Sequence, residues 1–316
     1  VSTKYRTIFG PIPSRRFGTS LGIDLSPGKK QCNYDCLYCE LAASKPVETI
    51  ENPPSVELVT KELKEALKEH PETEVITITA NGEPTLYPYL EELIEKVEKV
   101  KGEKKTLILS NASTIHLPQI QKALLKLDMV KLSLDCATPE CFRKLDRPLK
   151  SVDLYKIFEG IRSFRKLYKG SLILEILMVP GINTTDEEIE ALNTLLPTLG
   201  ADRIDIGTVD RPPAYPIEPL KFDELYEISK KFDSSLPIHI ASRHKSEWAK
   251  ERYTEEEIIS TLAKRPLTLD EIEALFDKNS LKRFNALLKE GKIETKELGG
   301  LLFYGTDFSG QKVKNS

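Results

Sequence analysis

Three cysteines stand at positions 32, 36 and 39, in the segment QCNYDCLYCE. Thiols this close together do not build a disulfide framework; their natural use is a metal site. One short loop with three thiolates can wrap a corner of a cubane iron-sulfur cluster, which leaves the fourth iron open to a small molecule. Zinc is the competing reading: these three cysteines plus a fourth Cys or His from elsewhere, since structural zinc takes closed four-coordinate sites. Such sites usually pair two CxxC knuckles. The chain has no second one, and its remaining cysteines, Cys136 and Cys141, are not at knuckle spacing. An open cluster is the stronger reading of the three.

An open iron can chelate the amino and carboxylate groups of S-adenosylmethionine. A reduced cluster then passes an electron into the sulfonium, and cleavage yields methionine and a 5′-deoxyadenosyl radical that takes hydrogen from inert carbon. Cysteines 32, 36 and 39 with Tyr38 directly before the last of them form CxxxCxxC with an aromatic. This resembles the signature of the radical S-adenosylmethionine superfamily, and further elements of that family follow in order over the first 210 residues.

In TANGEPTLYP, Gly82-Glu83-Pro84 resembles the family's GGEP element, whose backbone and carboxylate receive the methionine amino group. Asn81 stands where the first glycine is usual, a mild departure because Asn tolerates left-handed backbone. Ser110 and Asn111 in LSNAS stand where molybdenum cofactor protein A carries Thr-Asn-Gly, and Ser133 in KLSLDC matches a fourth-strand serine that contacts the cofactor. Read singly, such hydroxyls are more often helix caps. Glu175 interrupts the apolar run LILEILMV, where an unpaired carboxylate is costly to bury. The resemblance sets it against the ribose hydroxyls; a half-exposed strand position is the bland alternative. Residues 179–183 (VPGIN) and Gly207-Thr208 fall where backbone frames the adenine.

Substrate groups are less marked. Cys136 follows Asp135 at the expected active-site rim, where a thiol is placed to donate a hydrogen atom to a substrate radical. A small buried side chain is the more ordinary use of a free cysteine. Arg15 and Arg16 in GPIPSRRFGTSLG, and Asp210 and Arg211 in DRPP, offer groups for an anionic substrate or for a surface ion-pair cluster. His70, His116, His239 and His244 form no motif.

The elements that position these residues follow from pattern. Short beta-branched runs at Leu21–Leu25, Val75–Thr79, Thr106–Ser110, Val130–Leu134, Leu172–Val179 and Arg203–Thr208 alternate with amphipathic stretches. Such alternation is what a parallel sheet with crossover helices requires, and an ordinary doubly wound sheet fits it equally well. Together with the resemblance it predicts a partial (βα)6, TIM-like barrel over residues 1–241, whose sites gather at the carboxyl ends of the strands. A further short strand, Ile238–Ile240, precedes a polar linker over 242–253. Residues 254–316 read as three helices and a hairpin around Gly299-Gly300, which resembles a winged helix-turn-helix.

The 316 residues have a formal net charge of −3, so no global basic signal points to nucleic acid. No apolar run approaches the roughly 20 residues of a membrane span, and the first residues lack a secretory pattern. A cytoplasmic enzyme is expected. The segment GPIPSRRFGTSLG with CNYDCLYC resembles a group of radical S-adenosylmethionine proteins distantly related to wyosine-type tRNA enzymes and nitrogenase cofactor protein B. The resemblance implies one [4Fe-4S] cluster, S-adenosylmethionine, and a reducing donor of flavodoxin or ferredoxin type. A tRNA or nucleotide is the expected substrate, with a peptide or small metabolite as alternatives. A zinc-stabilised regulator that binds DNA is the reading from outside enzymology.

Overall fold

Strand-forming runs this apolar need cover, and here the intervening helices supply it on one face of the sheet. The computed structural model describes residues 4–14, 17–240, 250, 252–264, 266–298, 301–306 and 308. β1 (Ile8–Ser14) and β2 (Gly18–Asp24) form an antiparallel pair. The chain then alternates α1 (Val56–Glu69), β3 (Val75–Thr79), α2 (Leu90–Val100), β4 (Lys105–Ser110), α3 (Pro118–Leu124) and β5 (Met129–Ser133). It continues through α4 (Pro139–Leu145), α5 (Leu154–Leu167), β6 (Ser171–Met178), α6 (Asp186–Leu195), β7 (Arg203–Thr208), α7 (Phe222–Ser229) and β8 (Ile238–Ile240).

The eight strands lie in chain order, and β2 through β8 are parallel. Among the described residues β8 pairs only with β7 and β1 only with β2, so the sheet stays open as a partial barrel. All six expected strands are present, and Ile238–Ile240 joins them as a seventh parallel strand. β1 was not expected, because IFGPIPS carries two prolines; an edge strand tolerates them where a central one would not. Side chains cap the helix starts: those of Ser55 and Thr185 accept from the backbone N–H of Leu58 and Glu188.

Alternation sorts the strand residues. Leu132, Leu174, Ile176, Ile204 and Ile206 are buried beneath the helices. On the opposite face Ser133, Glu175, Asp205 and His239 are successive cross-strand partners. Glu175 is tolerated there because the Lys131 ammonium lies 2.5 Å from its carboxylate and 3.4 Å from that of Asp205, which Arg203 also grips.

After the barrel come α8 (Glu255–Lys264), β9 (Leu267–Thr268), α9 (Leu269–Leu275), α10 (Lys278–Lys289), β10 (Glu294–Leu298) and β11 (Leu301–Gly305). The strands form a second sheet in the order β10-β11-β9. This module has its own core of Ile258, Leu262, Ile272, Phe276, Phe284 and Leu287. Leu298 and Phe303 instead join the core of the barrel, so the hairpin is packed against it. Most of the expected linker, and the Gly299-Gly300 turn, lie outside the described residues.

Candidate active site

The cysteine loop leaves the carboxyl end of β2 and is pinned at once to the segment after β3. Gln31 donates its N–H to the Asn81 carbonyl at 2.7 Å, and Glu83 N–H returns to the Gln31 carbonyl at 3.0 Å. Gly82 sits between them at φ +138°, and a Cβ on it would lie 1.8 Å from the Gln31 oxygen. Only glycine meets both demands. Farther on, Leu37 N–H bonds to the Leu145 carbonyl at 2.9 Å, Asp35 N–H to Asp146 at 3.2 Å, and the Cys39 carbonyl accepts from Ala214 N–H at 2.9 Å.

The thiols of Cys32, Cys36 and Cys39 are free. Burial, with the Glu83 charge nearby, pushes Cys32 up to about 12. Burial raises Cys36 and Cys39 as well, while the Lys30 ammonium opposes the rise at Cys39. Such thiols become thiolates when a metal supplies the compensating charge. The Tyr34 N–H and Asn111 Nδ2 point at the Cys32 sulfur from 3.4 and 3.5 Å. Among the described residues, Cys136, Cys141 and Glu188 form the set with ligand atoms within 4.8 Å of one another; the three loop sulfurs are spread wider. A tetrahedral zinc with ligands at about 2.3 Å would need them closer. The donor set fits a cluster.

Glu83 departs from expectation. Its carboxylate is 1% exposed and accepts from Thr85 N–H, Thr85 Oγ1, Ser110 Oγ and Asn111 N–H, at 2.6 to 2.9 Å. It therefore ties the turn at Pro84–Leu86 to the end of β4. Ser110 is held in the same bond. Asn81 does not use left-handed backbone; it donates its N–H and Nδ2 to the Asp24 carboxylate at 3.0 and 3.1 Å.

Tyr38 donates its hydroxyl to Asp135 at 2.5 Å, and Leu177 N–H donates to the other oxygen at 2.7 Å. Asp135 is thus occupied and buried rather than presented to substrate. Burial pushes its carboxyl up to about 7, against the pull of the Tyr38 hydroxyl. Burial and the Asp135 charge raise the neighbouring Asp146 further, and Asp146 lies 3.5 Å from the Cys36 sulfur. Ser133 shares a small cavity with Tyr38, Asn111, Asp135 and Asp146.

Cys136 is bonded to Cys141, both buried, so no thiol hydrogen is available there to give to a radical. The Thr208 hydroxyl donates to the Met178 carbonyl at 3.1 Å and accepts from Leu220 N–H at 2.9 Å. Arg211 is not a substrate group: it is 7% exposed, and its fork is directed at Glu271 and the Pro266 carbonyl of the C-terminal module. Asp210 beside it is half-buried. Arg15 and Arg16 lie outside the described residues, and Ser14 and Phe17, which flank them, stand at the end of the sheet away from the cysteine loop.

Three contributors were not read from sequence. Tyr215 donates its hydroxyl to Asp35 at 2.5 Å, Arg147 reaches the same carboxylate at 3.3 Å while lying over the Tyr215 ring, and Lys30 is 3.4 Å from the other oxygen. Only the polar, turn-rich composition around DRPLK and RPPAYP signals such positions.

Comparison with known proteins agrees with this geometry. The profile of the Radical SAM superfamily matches residues 29–196. A UPF0026 protein of Helicobacter pylori (strain J99) is 40% identical over 300 residues, which cover 94% of this chain and 96% of that one. A UPF0026 protein of Methanocaldococcus jannaschii is 30% identical, covering 94% of each. Among solved structures, TYW1 with a lysine-pyruvate adduct bound has a TM-score of 0.52 at 19% identity, over 70% of this chain and 76% of that one. A radical SAM methyltransferase from Sphaerobacter thermophilus has a TM-score of 0.54 at 13% identity, over 71% and 67%. At such identity these two likenesses speak for the fold. The chain belongs to the radical SAM superfamily and to the UPF0026 proteins, and is an enzyme that works with a [4Fe-4S] cluster and S-adenosylmethionine.

Proposed function

We propose that Cys32, Cys36 and Cys39 hold three irons of one [4Fe-4S] cluster, with S-adenosylmethionine received along the carboxyl ends of β3 to β7. The single observation that carries this is the set of three free thiols on one loop that Gly82 fastens to the segment after β3. The bound cofactors supply reductive sulfonium cleavage and a 5′-deoxyadenosyl radical, which removes hydrogen from substrate carbon. The chain's own residues hold and orient. Gly82 and Glu83 offer backbone, Ser133 and Glu175 offer side chains on the face opposite the helices, and Tyr38, directly before the last cysteine, is fixed by Asp135. Ser110 acts through Glu83, and Thr208 through the loop it ties down.

The substrate we propose is a tRNA or modified nucleotide, with electrons from a flavodoxin- or ferredoxin-type donor in the cytoplasm. The support is the distant resemblance of GPIPSRRFGTSLG with CNYDCLYC to wyosine-type tRNA enzymes, and a module, proposed over 254–316, whose elements α8 to β11 have the order of a winged helix and follow a catalytic unit over 1–241.

Anaerobic reconstitution, iron and sulfide analysis, and detection of 5′-deoxyadenosine after dithionite reduction test the chemistry. Cys36→Ala is expected to lose both cluster and cleavage; normal cleavage in that variant sinks the assignment. RNA binding should weaken steeply as salt rises, through counterion release. A flat salt response, or no binding, removes the RNA reading in favour of a peptide or small metabolite.

A further inference from the structure

The C-terminal module touches the barrel at a place with direct consequences for the cysteine loop. Arg211 presents Nη1 and Nη2 to the two oxygens of Glu271, each at 3.0 Å, and Nη1 also donates to the Pro266 carbonyl. Glu271 is itself held, accepting from Thr268 N–H at 2.9 Å and Thr268 Oγ1 at 3.2 Å. The guanidinium also lies over the Phe303 ring, 5.8 Å from its centroid. Exposed ion pairs contribute little, but a buried bidentate pair fixes geometry and is costly to break.

Only Pro212 and Pro213 separate Arg211 from Ala214, which is bonded to the cysteine loop. Proline fixes φ, so this connection is stiff. Lys296 grips it from the module at the Pro213 carbonyl, 3.3 Å away. The next two residues reach the loop itself: Ala214 N–H donates to the Cys39 carbonyl at 2.9 Å, and the Tyr215 hydroxyl to Asp35 at 2.5 Å. The superfamily profile ends at residue 196, ahead of every one of these contacts.

We propose that Arg211 and Glu271 are positioning residues for the cluster: through 211–215, the C-terminal module sets the backbone that carries Cys39. The inference rests on the assignment of the cluster to the three loop cysteines. Arg211→Ala, Arg211→Lys and Glu271→Gln, in the full chain, separate it from simple docking, with the exposed Lys282→Ala as control. Two measurements are made well below the melting temperature: hydrogen exchange of the peptide spanning 35–45 in metal-free protein, and iron loss to a ferrous chelator after anaerobic reconstitution. We expect faster exchange in that peptide for the Arg211 and Glu271 variants and iron loss about tenfold faster than wild type, as for supporting residues around other metals. Lys282→Ala should match wild type in both.

Unchanged exchange and iron loss in Glu271→Gln and Arg211→Lys, with only a lowered melting temperature, overturns the proposal and leaves a structural clamp. If Arg211→Ala does not fold, these two milder variants decide. A wild-type chain that binds no cluster overturns the underlying assignment instead, which the exchange measurement does not depend on.

Discussion

Gly82 is the residue on which the site's geometry most plainly depends. Its φ of +138° is strained for any other residue, and the Gln31 carbonyl occupies the space of a Cβ. Gly82→Ala should cost on the order of 3 kcal/mol from strain and a displaced backbone bridge. We expect a lower melting temperature and poor cluster loading, whereas wild-type loading in a folded variant would mean that the bridge does not hold the loop. The cysteines were legible because all three lie within one short stretch of sequence. Asp35 was not, because its partners Arg147 and Tyr215 come from residues 112 and 180 positions away. Arg211 was misread for the same reason: a buried partner 60 residues on is invisible to local pattern, and a charged pair near a strand end looks like a substrate site.

Periodicity found every parallel strand of the barrel, and Ser55 and Thr185 cap the helices that start after them. What it missed were short or edge elements: the proline-bearing β1, α7, β9, and α4, whose N-cap Thr138 is held by Glu188 of α6. Asp128 illustrates how such elements are joined. Burial alone would raise its carboxyl, but Lys101 at 2.7 Å, after α2, and the Thr106 N–H and hydroxyl on β4 hold it below the ordinary value. A folded value below the unfolded one means stability that is present above about 3.9 and lost as pH falls through the folded value. Asp128→Asn should therefore be less stable near neutrality and should lose less on acidification. Urea unfolding across that range checks it; parallel acid limbs for variant and wild type would remove Asp128 as a contributor.

At the scale of the molecule, the sequence reading divides the chain into a barrel over 1–241 and a small module over 254–316, with a linker between them. Leu298 and Phe303 join the two, since both lie in the core of the barrel. A chain ending at residue 241 uncovers the apolar surface they pack on, so we expect it to self-associate and to bind a hydrophobic dye more than the full chain. A monomeric, dye-silent barrel would show that the hairpin contact contributes little.

The supports of the cysteine loop carry a consequence for biogenesis. They lie at residues 81–83, 111, 145–147 and 214–215, and the last of these is braced by Glu271. Ribosomes deliver about 5–20 residues per second, so the thiols emerge on the order of ten seconds before the frame that spaces them is complete. Through that interval they hang on an unorganised tether, able to capture a stray ion in the wrong arrangement. We therefore expect the finished chain to take up a cluster at these cysteines better than chains that stop short of Glu271; equal uptake by both would show that the late supports are not needed for loading.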